Sequence, residues 1–309
     1  MRVIYTYITA DTEGSKVHID SFIKAFRSLG EEVVDAGIIT KPFTANKAEW
    51  SLAQRLWAKV SWLFMNISIL FNLLWLAKDV RPDIVLFRFM PNHQFFFPIF
   101  VLSFLYPVVL EINALRSIEN PTEANWLINL LDKISLRRVK RCFVVSQNIK
   151  DHLLGRNLLG KEKVAIIENG VDLEHFSPDL PADNIKQILG LNNTFVVGFV
   201  GSFKPWHGIE NIISLAEAIK PEGIDIRFLI VGDGKERSNY EEMIKAKGLE
   251  GSFIFTGFIE HDRVHEYIAA MDVAIAPHKS DSFKESGGFH GSPLKIFEYM
   301  AMAKPIITA

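Results

Sequence analysis

The stretch Phe195–Ile213, FVVGFVGSFKPWHGIENII, divides into a strand, a loop and a helix. Phe195–Gly201 is a short run of apolar β-branched and aromatic residues, the pattern of a buried strand. A loop carrying Lys204 and His207 follows, and a helix starts near Gly208 and runs to Ile219. A strand that passes through glycines into a helix is the opening unit of a parallel α/β sheet, whose ligands bind at the carboxyl ends of the strands. Lys204 and His207 lie at such an end, where a cation beside free helix N–H groups suits a diphosphate. Taken alone, Lys204 also reads as a solvated surface lysine.

The same alternation continues on both sides. Downstream come strands at Ile226–Val231, Ser252–Thr256, Val273–Ala276 and Pro305–Thr308, with helices at Ser238–Lys247, Arg263–Ala270 and Leu294–Met302. Upstream, Phe176–Leu191 has two prolines, several acids and no strand period, so it reads as a linker plus a short helix. Before it lies an earlier series, with strands at Arg2–Ile8, Glu32–Ala36, Asp83–Arg88, Pro107–Ile112, Arg141–Val145 and Val164–Ile167. Helices at Lys16–Leu29 and Asn125–Val139 belong to that series. The pattern predicts an α/β chain of two doubly wound, Rossmann-like domains, residues 1–178 and 179–309, with a ligand cleft between them. The last strand begins just before Ala309, so the second domain is expected to be incomplete.

Composition is that of a globular protein: 309 residues, 49% hydrophobic and 23% charged, with a net charge of −2. Nothing in that balance points to nucleic acid. Lys and Arg outnumber Asp and Glu by 21 to 18 up to residue 178, whereas beyond it the acids lead 18 to 13, so affinity for anionic surfaces belongs to the first half. The single cysteine, Cys142, excludes an intramolecular disulfide, fits a reducing compartment and reads as a small buried residue. The opening stretch, with one basic residue and a short apolar run before Asp11, is not expected to act as a signal peptide. In Val60–Ala77, 14 of 18 residues are apolar, and Ser61, Ser68 and Asn72 fall on one stripe of a helix. This is a helix packed on a sheet or touching a bilayer surface rather than one that spans it. The basic cluster Lys133, Arg137, Arg138, Lys140 and Arg141 reads either as a site for anionic lipid or as a solvated helix face.

The loops after the strands hold the candidate chemistry. Glu13-Gly14-Ser15 follows the first strand; its glycine either lets the backbone approach a ligand or serves a tight turn. In ESGGFHGSPLKIFEYMA, residues 285–301, a glycine-rich loop through Ser292 and Pro293 leads into the helix at Leu294. Lys295 stands in its first turn and Glu298 one turn on. That pairing suits a phosphate held by N–H groups and lysine, with the acid accepting from ribose hydroxyls. Arg88, Glu111 to Asn113 and Ser146 end first-domain strands, Ser146 reading as a helix N-cap. His261 and His265 are spaced i, i+4 without the acid of a zinc motif and read as surface residues, and no metal site is expected.

Five of these segments together resemble the retaining glycosyltransferases of the GT-B fold, family-four type. VAIIENGVDLEHFSP (164–178) resembles the family's hinge strand, and VGFVGSFKPWHGIENII its opening strand and phosphate loop. FLIVGDGKE and FTGFIEHDRVHEYIAAMDVAIAP match the next segments in order, and SPLKIFEYMAMAKPII the signature helix. The resemblance implies a nucleotide-sugar donor held mainly by the second domain and an acceptor bound by the first. It further implies transfer with retention by front-face attack, with the donor diphosphate helping to take the acceptor proton, and no metal or other cofactor.

Carried over residue by residue, Glu298 matches the ribose-binding acid, while His290 stands where the family's first acid falls. Ser202 and His207 replace the usual arginine and lysine of the phosphate loop. A subgroup with Trp-His-Gly and Ser-Pro-Leu-Lys is similar in these changes; it implies that His207 and Lys295, with Lys204, hold the diphosphate and that His290 faces the donor sugar. Ser292, Pro293 and Leu294 join the donor site with them. Gly14 matches the first-domain glycine loop, Asn113 a sugar-proximal position, and Gly257 and Phe258 the contact with the base. The expected function is transfer of a sugar to a saccharide or lipid-linked acceptor in cell-surface polysaccharide or glycolipid synthesis. The expected location is the cytoplasm or, peripherally, the inner face of the plasma membrane. The alternatives are a non-catalytic nucleotide-sugar-binding subunit of an assembly complex and a sugar-nucleotide epimerase of the same fold.

Overall fold

A computed structural model of the chain describes residues 1–10, 13–40, 51–88, 95–113, 126–278 and 292–308. Two compact units emerge, one over Met1–Glu168 and one over Asn169–His278 together with Pro293–Thr308. The division precedes the sequence boundary at 178 because Phe176 is buried in the second unit's core beside Leu191 and Val196.

The first unit runs β1 (Arg2–Thr6), β2 (Ile8–Ala10), α1 (Glu13–Ser28), β3 (Glu32–Asp35), β4 (Ile38–Thr40), α2 (Leu52–Val80), β5 (Ile84–Arg88) and α3 (Phe96–Leu102). It continues with β6 (Val108–Ile112), α4 (Trp126–Arg138), β7 (Arg141–Val144), α5 (Gln147–Gly155) and β8 (Val164–Ile166). Six strands pair in parallel in the order β3-β1-β5-β6-β7-β8, and β2 pairs with β4 in a separate parallel ribbon. The expected strand Arg2–Ile8 thus breaks at Tyr7.

Side chains alternate across the sheet. Val3, Tyr5, Leu86 and Phe143 face Ile19, Phe22 and Ile23 of α1. Ile4, Val85, Phe87, Leu110, Cys142 and Val144 face the other way, against Ile69, Leu73 and Ala77 of α2 and Ile99 and Leu102 of α3. Cys142 is a free, buried thiol whose pKa burial pushes up to about 12. Ser146 caps α5 by accepting from the Ile149 N–H.

Among the described residues, only one face of α2 is covered. Trp57, Phe64, Phe71 and Trp75 are exposed at helical spacing, each by about two-thirds of its surface, and Ser61, Ser68 and Asn72 are exposed beside them. The helix is long and apolar enough to cross a membrane, yet Ile69, Leu73 and Ala77 pack on the sheet.

The second unit opens with α6 (Asp183–Ile188) and β9 (Phe195–Val200), then α7 (Ile209–Ile219), β10 (Ile226–Val231), α8 (Arg237–Ala246) and β11 (Phe253–Gly257). It ends with α9 (His261–Ala269), β12 (Val273–Ala276), α10 (Leu294–Ala301) and β13 (Ile306–Thr308). Its parallel sheet has the order β11-β10-β9-β12-β13, so the chain switches direction between β9 and β12. Helices α7 and α8 pack on one face through Ile212, Ile213 and Tyr240. Helices α9 and α10 pack on the other through Val264, Ile268 and Tyr299.

Candidate functional site

In the second unit the switch between β9 and β12 brings together the loop after β9, the end of β12 and helix α10. The Tyr299 hydroxyl accepts from the Val200 N–H at 2.8 Å, which ties α10 to the carboxyl end of β9. Gly208, at φ +73°, ends the loop that leaves β9; a Cβ there would lie 1.6 Å from the Pro277 carbonyl oxygen. Only glycine permits that approach, which holds the loop against the end of β12.

Lys295 is the centre of this arrangement. It is buried in the first turn of α10, and its Nζ lies 4.2 Å from the centroid of the Phe199 ring. Among the described residues that ammonium has no hydrogen-bond partner. Burial pushes its pKa down to about 7, against a smaller upward pull from Glu298. Gly201 keeps its approach clear, since a Cβ at 201 would fall 2.7 Å from Nζ. An unpaired buried cation is costly to a fold and is retained where a ligand completes it. Pro293, the N-cap of α10, supplies no side-chain cap, so the helix N-terminus adds its own positive end beside Lys295.

His207 donates from Nδ1 to the Ser202 carbonyl, and its ring stands perpendicular to that of His278 with centroids 5.8 Å apart. Burial, reinforced by Lys295, pushes the His207 pKa down to about 3, so the ring is neutral with its lone pair on Nε2. Burial and Lys295 likewise lower His278. Glu298, also buried, meets His261 Nε2 through Oε1 at 2.9 Å. This polar cluster combines one cation, neutral imidazoles and a carboxylate at the carboxyl ends of the switch strands, the place where α/β folds bind ligands.

The structure thus brings Ser202, His207, Lys295 and Glu298 into one region, with Pro293 and Leu294 leading into α10 and Ser292 just before them. Lys204 is exposed, with Nζ 5.1 Å from the Trp206 ring centroid, and its charge adds to the lowering of the His207 pKa. Gly257, at φ +71°, ends β11 and accepts from the Gly232 N–H; Phe258 after it is exposed. His290 lies outside the described residues. The surface reading of His261 and His265 is corrected: His261 binds Glu298, and His265 Nδ1 meets His175 Nε2 at 3.1 Å. Phe199 and His278 were not singled out in the sequence; each sits at or beside a switch strand, a position that strand order alone identifies.

The first unit has a second polar centre at the carboxyl ends of β5 and β6. Glu111 is fully buried on β6, beside Arg88 in the strand register. Its Oε2 accepts from the Tyr5 hydroxyl at 2.6 Å; its Oε1 meets His18 Nε2 at 2.7 Å and accepts from Asn113 Nδ2 at 2.6 Å. Arg88 Nη1 lies 3.8 Å from the same oxygen. Burial opposes ionisation of Glu111, but the hydrogen bonds with His18 and Tyr5 and the charge of Arg88 outweigh it and hold the carboxyl below its usual range. Asn113 belongs to this centre, and Gly14 falls in the first turn of α1 rather than in the loop before it.

The model for glycosyltransferase family 4 matches residues 12–175, and that for glycosyl transferases group 1 matches residues 181–309. The chain belongs to these glycosyltransferases. The glycosyltransferase chain superposes over its full length on 80% of the Anabaena HepE chain, crystallised with UDP and glucose, with a TM-score of 0.72 and 18% identity; that likeness is one of fold, the GT-B type. The 2-deoxystreptamine glucosyltransferase of Streptomyces kanamyceticus is 28% identical over 159 residues, 49% of this chain and 40% of that protein. TuaH of Bacillus subtilis strain 168, named for teichuronic acid biosynthesis, is 31% identical over 150 residues, 48% of this chain and 34% of TuaH. The glycosyltransferase chain therefore aligns with less than half the length of these curated relatives.

Proposed function

We propose that this glycosyltransferase moves a sugar, with retention of anomeric configuration, from a nucleotide-sugar donor to a saccharide or lipid-linked acceptor. The observation that carries the reading is the buried, unpartnered ammonium of Lys295 at the N-terminus of α10. A diphosphate completes that group electrostatically, and Glu298 one turn on accepts from ribose hydroxyls. In the reaction the bond from the anomeric carbon to the diphosphate oxygen breaks and a bond to the acceptor oxygen forms. The acceptor proton passes to the departing diphosphate, whose charge Lys295 stabilises together with the helix N-terminus. Lys295 supplies the charge in this scheme, so turnover is expected to need no divalent metal. HepE, bound to UDP and glucose in its crystal structure, makes uridine nucleotides the first donors to try.

The cellular reading is synthesis of a cell-surface polysaccharide or glycolipid, peripherally at the inner face of the plasma membrane. The name of TuaH supports the first part. The exposed aromatic stripe of α2 and the exposed Arg137, Arg138 and Lys140 support the second, because an apolar helix face with nearby cations suits an anionic bilayer surface. Cosedimentation with phosphatidylglycerol vesicles but not with phosphatidylcholine vesicles is the expected result.

The test of transfer is incubation of the chain with uridine and guanosine nucleotide sugars and a mixed acceptor panel, with and without EDTA. An α-configured donor is expected to give an α-linked product by NMR, at a rate EDTA leaves unchanged. A donor isomer formed without acceptor identifies an epimerase instead, and binding without turnover identifies a nucleotide-sugar-binding subunit. An inverted product overturns the retaining assignment.

A further inference from the structure

Lys295 and Glu298 carry opposite charges, are both buried, and yet do not pair. They stand three residues apart in α10, so their side chains leave the same face of the helix. A buried ammonium gains most by meeting a carboxylate directly. Among the described residues, however, Lys295 Nζ has no hydrogen-bond partner and lies against the Phe199 ring, 4.2 Å from its centroid. The Glu298 carboxylate is directed elsewhere, its Oε1 meeting His261 Nε2 at 2.9 Å. Glu298 is the acid whose charge acts on Lys295, and the rings of His207, after β9, and His278, after β12, bring no negative charge to it.

His261 is seated to hold the acid there. It is the first residue of α9, and its ring packs on Phe176 with centroids 5.6 Å apart. Phe176 is buried and also stands 6.1 Å from the ring of His265, which in turn meets His175 edge-on at 4.3 Å. The imidazole is therefore fixed by the segment before α6 as well as by its own helix. A carboxylate oxygen only accepts, so the ring nitrogen donates in this contact whether the imidazole is neutral or charged. We propose that His261 is a positioning residue that holds Glu298 away from Lys295 and so keeps the ammonium open to the donor diphosphate. Released from His261, the carboxylate turns about its own side-chain bonds and closes on Lys295, which is then satisfied from within the fold. The site loses charge for a phosphate, and Glu298 leaves the place from which it would accept ribose hydroxyls. The word donor rests on the transferase reading above; the competition of His261 and Lys295 for one carboxylate does not.

The experiment uses the full chain, labelled with 13C at lysine Cε and 15N in the histidine rings. Inorganic pyrophosphate is the probe, because it carries the phosphates without the ribose. His261→Phe keeps a ring and loses the donor. In that variant the Lys295 pKa, read by NMR titration without ligand, is expected to rise by at least about one pH unit as the carboxylate closes on it. Pyrophosphate affinity by calorimetry at about pH 6, where the amine is largely protonated in both chains, is expected to fall at least about tenfold. His261→Gln donates from an amide nitrogen at similar reach and is expected to restore both. Adding Glu298→Gln to His261→Phe removes the competing charge, so pyrophosphate affinity is expected within about twofold of Glu298→Gln alone, a coupling that lost packing does not produce. A Lys295 pKa in His261→Phe within about 0.3 of wild type overturns the inference. So does an equal loss of pyrophosphate binding with and without Glu298→Gln. Should His261→Phe fail to fold, the wild-type chain still decides: the 15N shifts of His261 are expected to place a hydrogen on Nε2, and a bare Nε2 overturns the inference. A wild type that binds neither pyrophosphate nor UDP sinks the transferase reading, and the ligand-free Lys295 titration then tests the role of His261 by itself.

Discussion

The two units bury their charges in opposite ways. In the first, the carboxylate of Glu111 is surrounded by hydrogen-bonding groups from Tyr5, His18 and Asn113, and Arg88 stands beside it. In the second, the ammonium of Lys295 has the face of Phe199, a weaker attraction from Glu298 and no hydrogen bond among the described residues. A balanced buried charge is part of the fold, and removing one partner strands the others. An unbalanced one opposes the fold and marks the place where a ligand of opposite charge is awaited. The same Rossmann-like scaffold therefore holds a hydrogen-bonded carboxylate in one unit and an ammonium without a hydrogen bond in the other.

The sharpest way to break this comparison is to delete each charge and follow stability. Glu111→Ala leaves Arg88 facing an empty, buried space, and the expected loss is about 3–5 kcal/mol of unfolding free energy by chemical denaturation. Lys295→Met keeps the stem and removes the charge, so unfolding stability is expected to hold or rise. The same variant is expected to weaken UDP at least about 100-fold by calorimetry, about 2.7 kcal/mol. If Lys295→Met destabilises the chain as Glu111→Ala does, the ammonium has a partner in the fold and the contrast fails. A smaller probe of the balanced centre is Tyr5→Phe, which removes only the hydroxyl that donates to Glu111 Oε2 at 2.6 Å. The expected cost is about 1.5–3 kcal/mol, the range for a hydrogen bond to a charged group, with UDP affinity unchanged.

Much of the scaffold was legible in the sequence because it is built from local patterns. The strand and helix of Phe195–Ile219 follow from apolar period and glycine position, and they appear as β9 and α7 within two residues of the expected helix start. Lys295 and Glu298 were legible too, being three apart at a helix N-terminus after a glycine-rich loop. What was not legible depends on contacts between distant segments. His261 and Glu298 are 37 residues apart, and the sequence gives no sign that α9 and α10 lie side by side. Tyr5 and Glu111 are 106 apart, joined only because β1 and β6 flank β5 in the sheet. The split of the first strand at Tyr7 was also hidden, since Ile8 continues the apolar run and only its pairing with Ile38 assigns it to a second ribbon.

The mildest test asks whether the charge on Lys295 is as weakly held as its burial implies. With its pKa near 7 in the free chain, the amine is largely neutral at pH 8 and above. A diphosphate favours the ammonium and raises that pKa, so binding above pH 7 takes up a proton. The affinity for UDP-glucose is therefore expected to fall with rising pH between about 7 and 9, approaching tenfold per pH unit, about 1.4 kcal/mol. His207, already neutral throughout this window, does not contribute. Stability runs in the other sense. The folded pKa lies below the ordinary lysine value of 10.5, so the unfolded chain binds the proton more strongly and the penalty is complete below pH 7. It fades as pH rises from about 7 toward 10.5, and the stability gap between wild type and Lys295→Met should close over that range. Glu111 cannot produce this signature, because its pKa is depressed and the stability it contributes is lost only as pH falls through the acid range. A Lys295→Met variant whose UDP-glucose affinity keeps the wild-type slope would assign the proton to another group and remove the cationic centre from the comparison.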